Sequence, residues 1–193
     1  MTTEQRDPWV NVKTRHGLAA DQVISALQKE IRRGNTENAA MLAFEMATTS
    51  PEMEEYLWYR LLVIAVEDVG WGDVHAPVLV RTLYEINQRF GHRGGENLLL
   101  ATHAVRYLCS CEKDRSSDEM VNWLIHLDAE GELQPEIPDY ALDMHTARGQ
   151  EMGRGKEHFW KEGAKIAPEL PDRDTTYRER MLRILADSES DDG

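Results

Sequence analysis

Three observations predict an all-α protein, a single compact helical domain of about eight to ten helices. Apolar residues recur at three- and four-residue spacing in nearly every segment. Capping residues, prolines and glycines fall at the ends of those segments, where helices start and stop. The alternation of apolar and polar residues that marks a half-buried strand is absent.

The elements follow in order. Val23, Ile24, Leu27 and Ile31 lie on one stripe of a first helix, opened by Asp21 and stopped by Gly34. A second runs from about Thr36 to Thr48 through Ala39, Ala40, Leu42, Ala43 and Met46. Ser50-Pro51-Glu52 supplies a cap, a proline at the first helical position and an acid in the first turn. The third helix carries Met53, Leu57, Leu61 and Ile64 and is expected to reach Gly70. Asp73 opens a fourth, with Leu79, Leu83, Ile86 and Phe90 inward and Gly91 closing it.

Gly94-Gly95 precede a fifth helix holding Leu98, Leu99, Ala101, Val105 and Leu108. Ser116-x-x-Glu119 reads as a capping box for a sixth, with Met120, Leu124 and Leu127 inward and Gly131 as its stop. Pro135 and Pro138 mark a loop, and three shorter helices are expected at about 139–148, 154–164 and 173–186. The predicted organisation is an N-terminal arm over 1–18, one helical domain over 19–186 and an acidic disordered tail over 187–193.

With 22 Lys and Arg against 35 Asp and Glu, the 193-residue chain carries a formal charge of −13. Such a protein is unsuited to sequence-blind coating of nucleic acid, which depends on neutralising phosphates, so any contact needs a local basic patch. Cys109 and Cys111 sit one residue apart and point to different faces of a helix, which predicts free thiols in a reducing compartment rather than a disulfide. Met1–Pro8 has no apolar core, and no stretch approaches the ~18 apolar residues of a membrane span. A cytoplasmic protein without a membrane segment is the expectation.

The least ordinary stretch is Leu61–Asp73. Its apolar run, Leu61 to Val66, meets two acids, Glu67 and Asp68, then Gly70 and a further acid at Asp73. Carboxylates at the end of a buried helix oppose the helix dipole. An arginine such as Arg60 or Arg81, or the amides of a neighbouring helix start, must offset that cost.

Three segments resemble one known family. Ile24-Ser25-Ala26-Leu27-Gln28-Lys29 with Arg32-Arg33-Gly34 resembles the opening of the C-terminal helical region of the RarA/MgsA replication-associated AAA+ ATPases. Glu67-Asp68-Val69-Gly70 with Asp73 resembles that region's Ser-Glu-Asp-(Ile/Val)-Gly-x-x-Asp signature, and Leu100-Ala101 through Ala104 to Tyr107-Leu108 is similar to its alanine-rich helix. The resemblance spans about Ala19 to Cys109, and Met152-Gly153-Arg154-Gly155-Lys156 is loosely similar to the family's Leu-Gly-Tyr-Gly-Lys turn. Asp143-Met144-His145-Thr146 and His158-Phe159 depart from the family's ending.

The resemblance implies a clamp-loader-collar-like fold whose role in the family is homo-oligomerisation, with DNA handling at replication forks by the complete protein. The expected assembly is a dimer or tetramer that acts through a replication protein partner or a local DNA contact. The ATPase module is expected to be missing. The nearest approach to a phosphate loop, Gly149 to Glu157, has five residues between its glycines and a glutamate where serine or threonine must hold magnesium.

Candidate sites follow. Glu67, Asp68, Gly70 and Asp73 form a structural signature. Lys29, Arg32 and Arg33 make a basic end to the first helix, favoured there by the dipole and, by resemblance, a DNA contact. Arg148, Arg154 and Lys156 flank a glycine-rich turn whose amides face an anion, such as a DNA phosphate, unless the glycines simply cap a connection. Asp143, His145, His158 and Glu162 offer two imidazoles and two carboxylates to zinc or iron, although Asp143 and His145 would diverge on a helix. The reading is a non-enzymatic oligomerisation module associated with DNA replication or repair, with no cofactor; the alternative is a small metal-dependent enzyme centred on Asp143–Glu162.

Overall fold

A computed structural model describes residues 8–90 and 95–191, with side chains described through Asp187. The Gly91 stop, Gly94, the first seven residues of the arm and the last two of the acidic tail lie outside the described residues. Helices α1 (Ala20–Arg33), α2 (Thr36–Thr49), α3 (Pro51–Ile64), α4 (Ala76–Phe90), α5 (Gly95–Ser110) and α6 (Ser116–Glu130) follow in order. Short helices α7 (Ala147–Glu151) and α8 (Lys156–His158) precede the longer α9 (Thr176–Asp191). No strand occurs among the described residues; Lys13 and Ala19 make an isolated antiparallel bridge. The expected all-helical class holds. The chain divides into two compact units, Met1–Leu133 and Gln134–Gly193, where the sequence suggested one domain over 19–186.

In the first unit, α1 to α5 enclose the core. Leu27, Ile31, Leu57, Leu61, Ile64 and Leu108 have no exposed surface, and Trp58 retains 1%. The predicted stripes of α1 and α3 are the buried ones. Ser50 caps α3 by accepting from the Met53 amide at 3.2 Å, with Pro51 as the first helical residue.

Other predicted starts are displaced. Asp21 does not cap α1: the helix begins at Ala20, whose amide donates to the Val12 carbonyl at 3.0 Å, so the folded-back arm supplies the cap. Ser116 is already helical, and Asp114 accepts from its amide at 2.8 Å in place of the expected capping box. The inward face of α4 is turned from the predicted one. Ala76, Val80, Leu83 and Asn87 are buried, while Phe90 is 51% exposed.

The largest differences lie in α3 and α6. After Ile64 the chain widens into a π turn over Ala65–Val69, followed by a 3-10 turn over Gly70–Gly72. The extra residue per turn lets Asp68 and Val69 both face inward. Helix α6 buries none of its side chains, although Met120, Leu124 and Leu127 were expected to face the core. Met120, Trp123 and Ile125 are each more than half exposed.

In the second unit the expected helix over 139–148 is a 3-10 turn, Asp139–Ala141, and the short α7, because Asp143 turns the chain between them. The expected 154–164 helix is α8 continued by a π turn over Phe159–Gly163. Helix α9 runs through Asp191, so the segment expected to be a disordered tail from 187 is helical over its described part.

Candidate functional site

The Glu67-Asp68 pair meets arginines, but not those anticipated. Asp68 is fully buried, and its Oδ1 accepts from Arg32 Nε while Oδ2 accepts from Gln28 Nε2 at 3.0 Å. Glu67 Oε1 accepts from Gln28 Nε2 at 2.7 Å and Arg32 Nη2 at 3.2 Å. Arg115 approaches the same carboxylates at 3.6 and 3.7 Å and also holds Asp118. Arg60 instead donates to Gln28 Oε1, and Arg81 pairs with Glu85 at 2.8 Å.

Two guanidinium groups therefore offset two acids that α3 carries to the end of its apolar run. The cluster joins α1, the π turn and the entry to α6. Both carboxylates are committed to cations and an amide, an arrangement that fixes backbone positions rather than one that leaves a free base.

Gly70 and Gly72 complete the joint. The Asp114 amide donates to the carbonyls of Asp68 and Val69 at 3.1 Å each, drawing the segment before α6 over the turn. A Cβ on Gly70 would overlap the Asp114 carbonyl, and one on Gly72 would overlap that of Glu112. Gly70 also has φ of 51°, a conformation costly to residues with side chains. Asp73 sits beyond the turn. Its Oδ2 accepts from the Tyr107 hydroxyl at 2.5 Å and its Oδ1 from the His75 amide at 2.9 Å, and these bonds hold its carboxyl below the usual range. Rather than opening α4 directly, Asp73 ties its approach to α5. Every member of the signature thus has a packing or bonding reason.

Beside this joint the surface is apolar. A groove of about 560 Å³ runs between α3 and α6, lined by Tyr59, Leu62, Val63, Val66 and Val121, with Glu67 and Asp118 at its rim. A second hollow of about 260 Å³ lies across Ser117, lined by Val66, Trp71, Val74 and Pro77. Trp71 is 72% exposed, and Trp123 and Ile125 on α6 are 56% and 62% exposed. Sequence reasoning assigned α6 to the core and missed this surface. The available signal was its breadth: Met120, Val121, Trp123, Leu124, Ile125 and Leu127 cover more of the circumference than one buried face requires.

The basic end of α1 is partly consumed by the joint, because Arg32 turns inward. Lys29 donates to Ser25 Oγ at 2.6 Å and Arg33 to the Lys29 carbonyl at 3.0 Å, leaving these two exposed. Both cysteines are free; Cys109 is buried and Cys111 half-buried, and burial pushes both thiols up.

The second unit holds the remaining candidates. Asp143 and His145 do come together: Asp143 Oδ1 accepts from the His145 amide at 2.9 Å and lies 3.1 Å from its ring. They sit on a turn, not on the helix that would have separated them. These contacts hold the Asp143 carboxyl low, led by the amide bond. Glu162 is drawn to Lys165 at 2.7 Å. Among the described residues no three His, Cys, Asp or Glu side chains converge to hold a metal ion.

Arg154 is likewise withdrawn from the proposed anion site. It makes a two-pronged pair with Asp139 at 2.8 Å and donates to the carbonyls of Asp139 and Leu142. Arg148 and Lys156 remain exposed. Gly149 serves packing, since a Cβ there would overlap the Asp143 backbone. No helix among the described residues is long and apolar enough to cross a membrane.

Comparison with known proteins agrees with the signature's position. Residues 34–168 match the family model described as the C-terminal region of the MgsA AAA+ ATPase. The match begins at Gly34, after most of the first resembling segment, and extends past Cys109 to include Asp143 and His158. Replication-associated recombination protein A of Bacillus subtilis (strain 168) is 30% identical over 142 residues, covering 74% of this chain and 32% of that protein. The protein of the same name from Haemophilus influenzae is 28% identical over 141 residues, covering 70% and 30%. The chain spans about one-third of the length of these curated relatives.

Proposed function

Because the chain belongs to the MgsA AAA+ ATPase C-terminal family, we propose that it is a non-enzymatic helical assembly module associated with DNA replication and recombination. It self-associates as a dimer or tetramer and acts in the cytoplasm through a replication protein partner or a local DNA contact. The association with replication rests on the names of its relatives. Self-association rests on one physical observation: α6 buries none of its side chains and leaves Met120, Trp123 and Ile125 more than half exposed. Monomeric proteins rarely display so continuous an apolar surface without a partner.

Light scattering on the full chain across a concentration series tests this reading. The expected result is a species of twice or four times the chain mass that Trp123→Glu with Leu124→Glu converts to monomer while helical content is unchanged. A monomer at every concentration would sink it.

A DNA contact has a narrower basis. Arg148 and Lys156 are exposed on either side of the glycine turn, while Arg32 and Arg154 are tied to carboxylates. Fluorescence anisotropy with single-stranded, duplex and forked DNA in a salt series tests it. Fork-preferring binding with a shallow salt slope, lost on Arg148→Glu with Lys156→Glu, is the expected result. Absence of binding even at low salt would leave protein assembly alone.

A further inference from the structure

Two long helices of the described chain, α6 and α9, bury no described side chain. Each is about four turns long, a length at which a helix isolated in water is marginal. Both carry apolar residues at helical spacing, Met120, Leu124 and Leu127 on one and Tyr177, Met181 and Leu185 on the other. Tyr177 is 71% exposed and Met120 61%.

Their charges differ in kind. Helix α6 holds Asp118, Glu119, Asp128 and Glu130 and has no lysine or arginine. Two α6 helices packed antiparallel would set the acids at the start of one against those at the end of the other. Juxtaposed like charges disfavour that pairing. Helix α9 presents Arg178, Arg180 and Arg183 beside its apolar stripe, against Glu179 alone in the same stretch. It also lies beyond residue 168, where the family match ends.

We propose that the α6 surface receives α9 of a second copy of this chain. The apolar stripe of α9 covers the Met120–Leu127 ridge, and Arg178, Arg180 and Arg183 face Asp128 and Glu130 of α6, since Asp118 is held by Arg115. A two-fold exchange makes the contact twice, closing a dimer with both exposed helices covered. This inference rests on the self-association reading above and names its surface.

Reciprocal charge reversal in the full chain tests it, with self-association followed by sedimentation equilibrium and folding checked by circular dichroism. One variant carries Arg178→Glu with Arg183→Glu, and the other carries Asp128→Arg with Glu130→Arg. Each alone should self-associate at least ~10-fold more weakly than the unaltered chain, because like charges then face each other at both contacts. Mixed in equal amounts, they should form a heterodimer near the original strength, since both contacts regain opposite charges.

Unchanged self-association of the α9 variant would overturn the exchange while leaving self-association intact. Failure of the mixture to recover would also overturn it. A monomeric unaltered chain would remove both the exchange and the reading beneath it.

Discussion

Arg32 on α1 clasps the carboxylate of Asp68, a residue with no exposed surface within the π turn after α3. The pair lies 36 residues apart in sequence and joins two helices through one guanidinium. Arg115 reaches the same carboxylate from the segment before α6. Arg32→Ala leaves a buried acid with reduced compensation and should lower stability by about 2–4 kcal/mol, below the largest effects because Arg115 remains. Asp68→Ala should cost a similar amount. Urea unfolding of the single and double variants checks this: a double variant well short of the sum identifies a direct partnership.

Gly70 and Gly72 permit the backbone of Glu112–Asp114 to lie against the turn. Gly72→Ala should destabilise by about 2 kcal/mol or more through overlap with the Glu112 carbonyl. Gly70→Ala should cost at least as much, since overlap adds to its positive φ. Gly95→Ala is the control, as a Cβ there meets nothing within 4 Å. Thermal unfolding that treats all three alike would refute the close-packing argument.

Glu45 carries a pH dependence. Burial pushes its carboxyl up, but hydrogen bonds from Thr14 and from the His16 ring and amide outweigh burial, bringing it from 4.5 to about 2. A carboxyl lowered by folding contributes stability above its unfolded value and loses it as pH falls towards the folded one. The folded arm should therefore lose stability between pH 4.5 and about 2. His16→Ala removes the ring contact at 2.5 Å but preserves a backbone amide at the position, so it should shrink this acid-sensitive component without abolishing it. Melting temperatures across that window, with and without the substitution, provide the check.

The two glycines of the C-terminal turn should behave differently. Gly149→Ala meets the Asp143 backbone and should destabilise the second unit by about 2 kcal/mol or more. Gly155→Ala enters open space and should be tolerated within about 0.5 kcal/mol. Amide hydrogen exchange over residues 139–163 measures both effects locally. Equal protection in the two variants would count against a packing role for Gly149.

Much of this protein was determined by short-range pattern. The Val23–Ile31 stripe, Ser50-Pro51 and the stop at Gly34 are local choices, made by side-chain spacing and backbone sterics within a few residues. They placed α1 to α3. The Glu67–Asp73 signature likewise announced that buried acids needed partners, because a charge at the end of an apolar helix has a cost wherever the chain goes.

The choice of partner was tertiary. Arg32, Gln28 and Arg115 reach Glu67 and Asp68 from 35 to 48 residues away, and only packing decides that they do so in place of Arg60 or Arg81. Burial of α6 was equally beyond local pattern. Met120, Leu124 and Leu127 have the spacing of a core face, but spacing records only that residues share a side. Whether another helix covers that side depends on where the Arg115 joint sends α6. Asp143 and His145 show the same division: their sequence separation was fixed, while a turn in place of a helix brought them into contact.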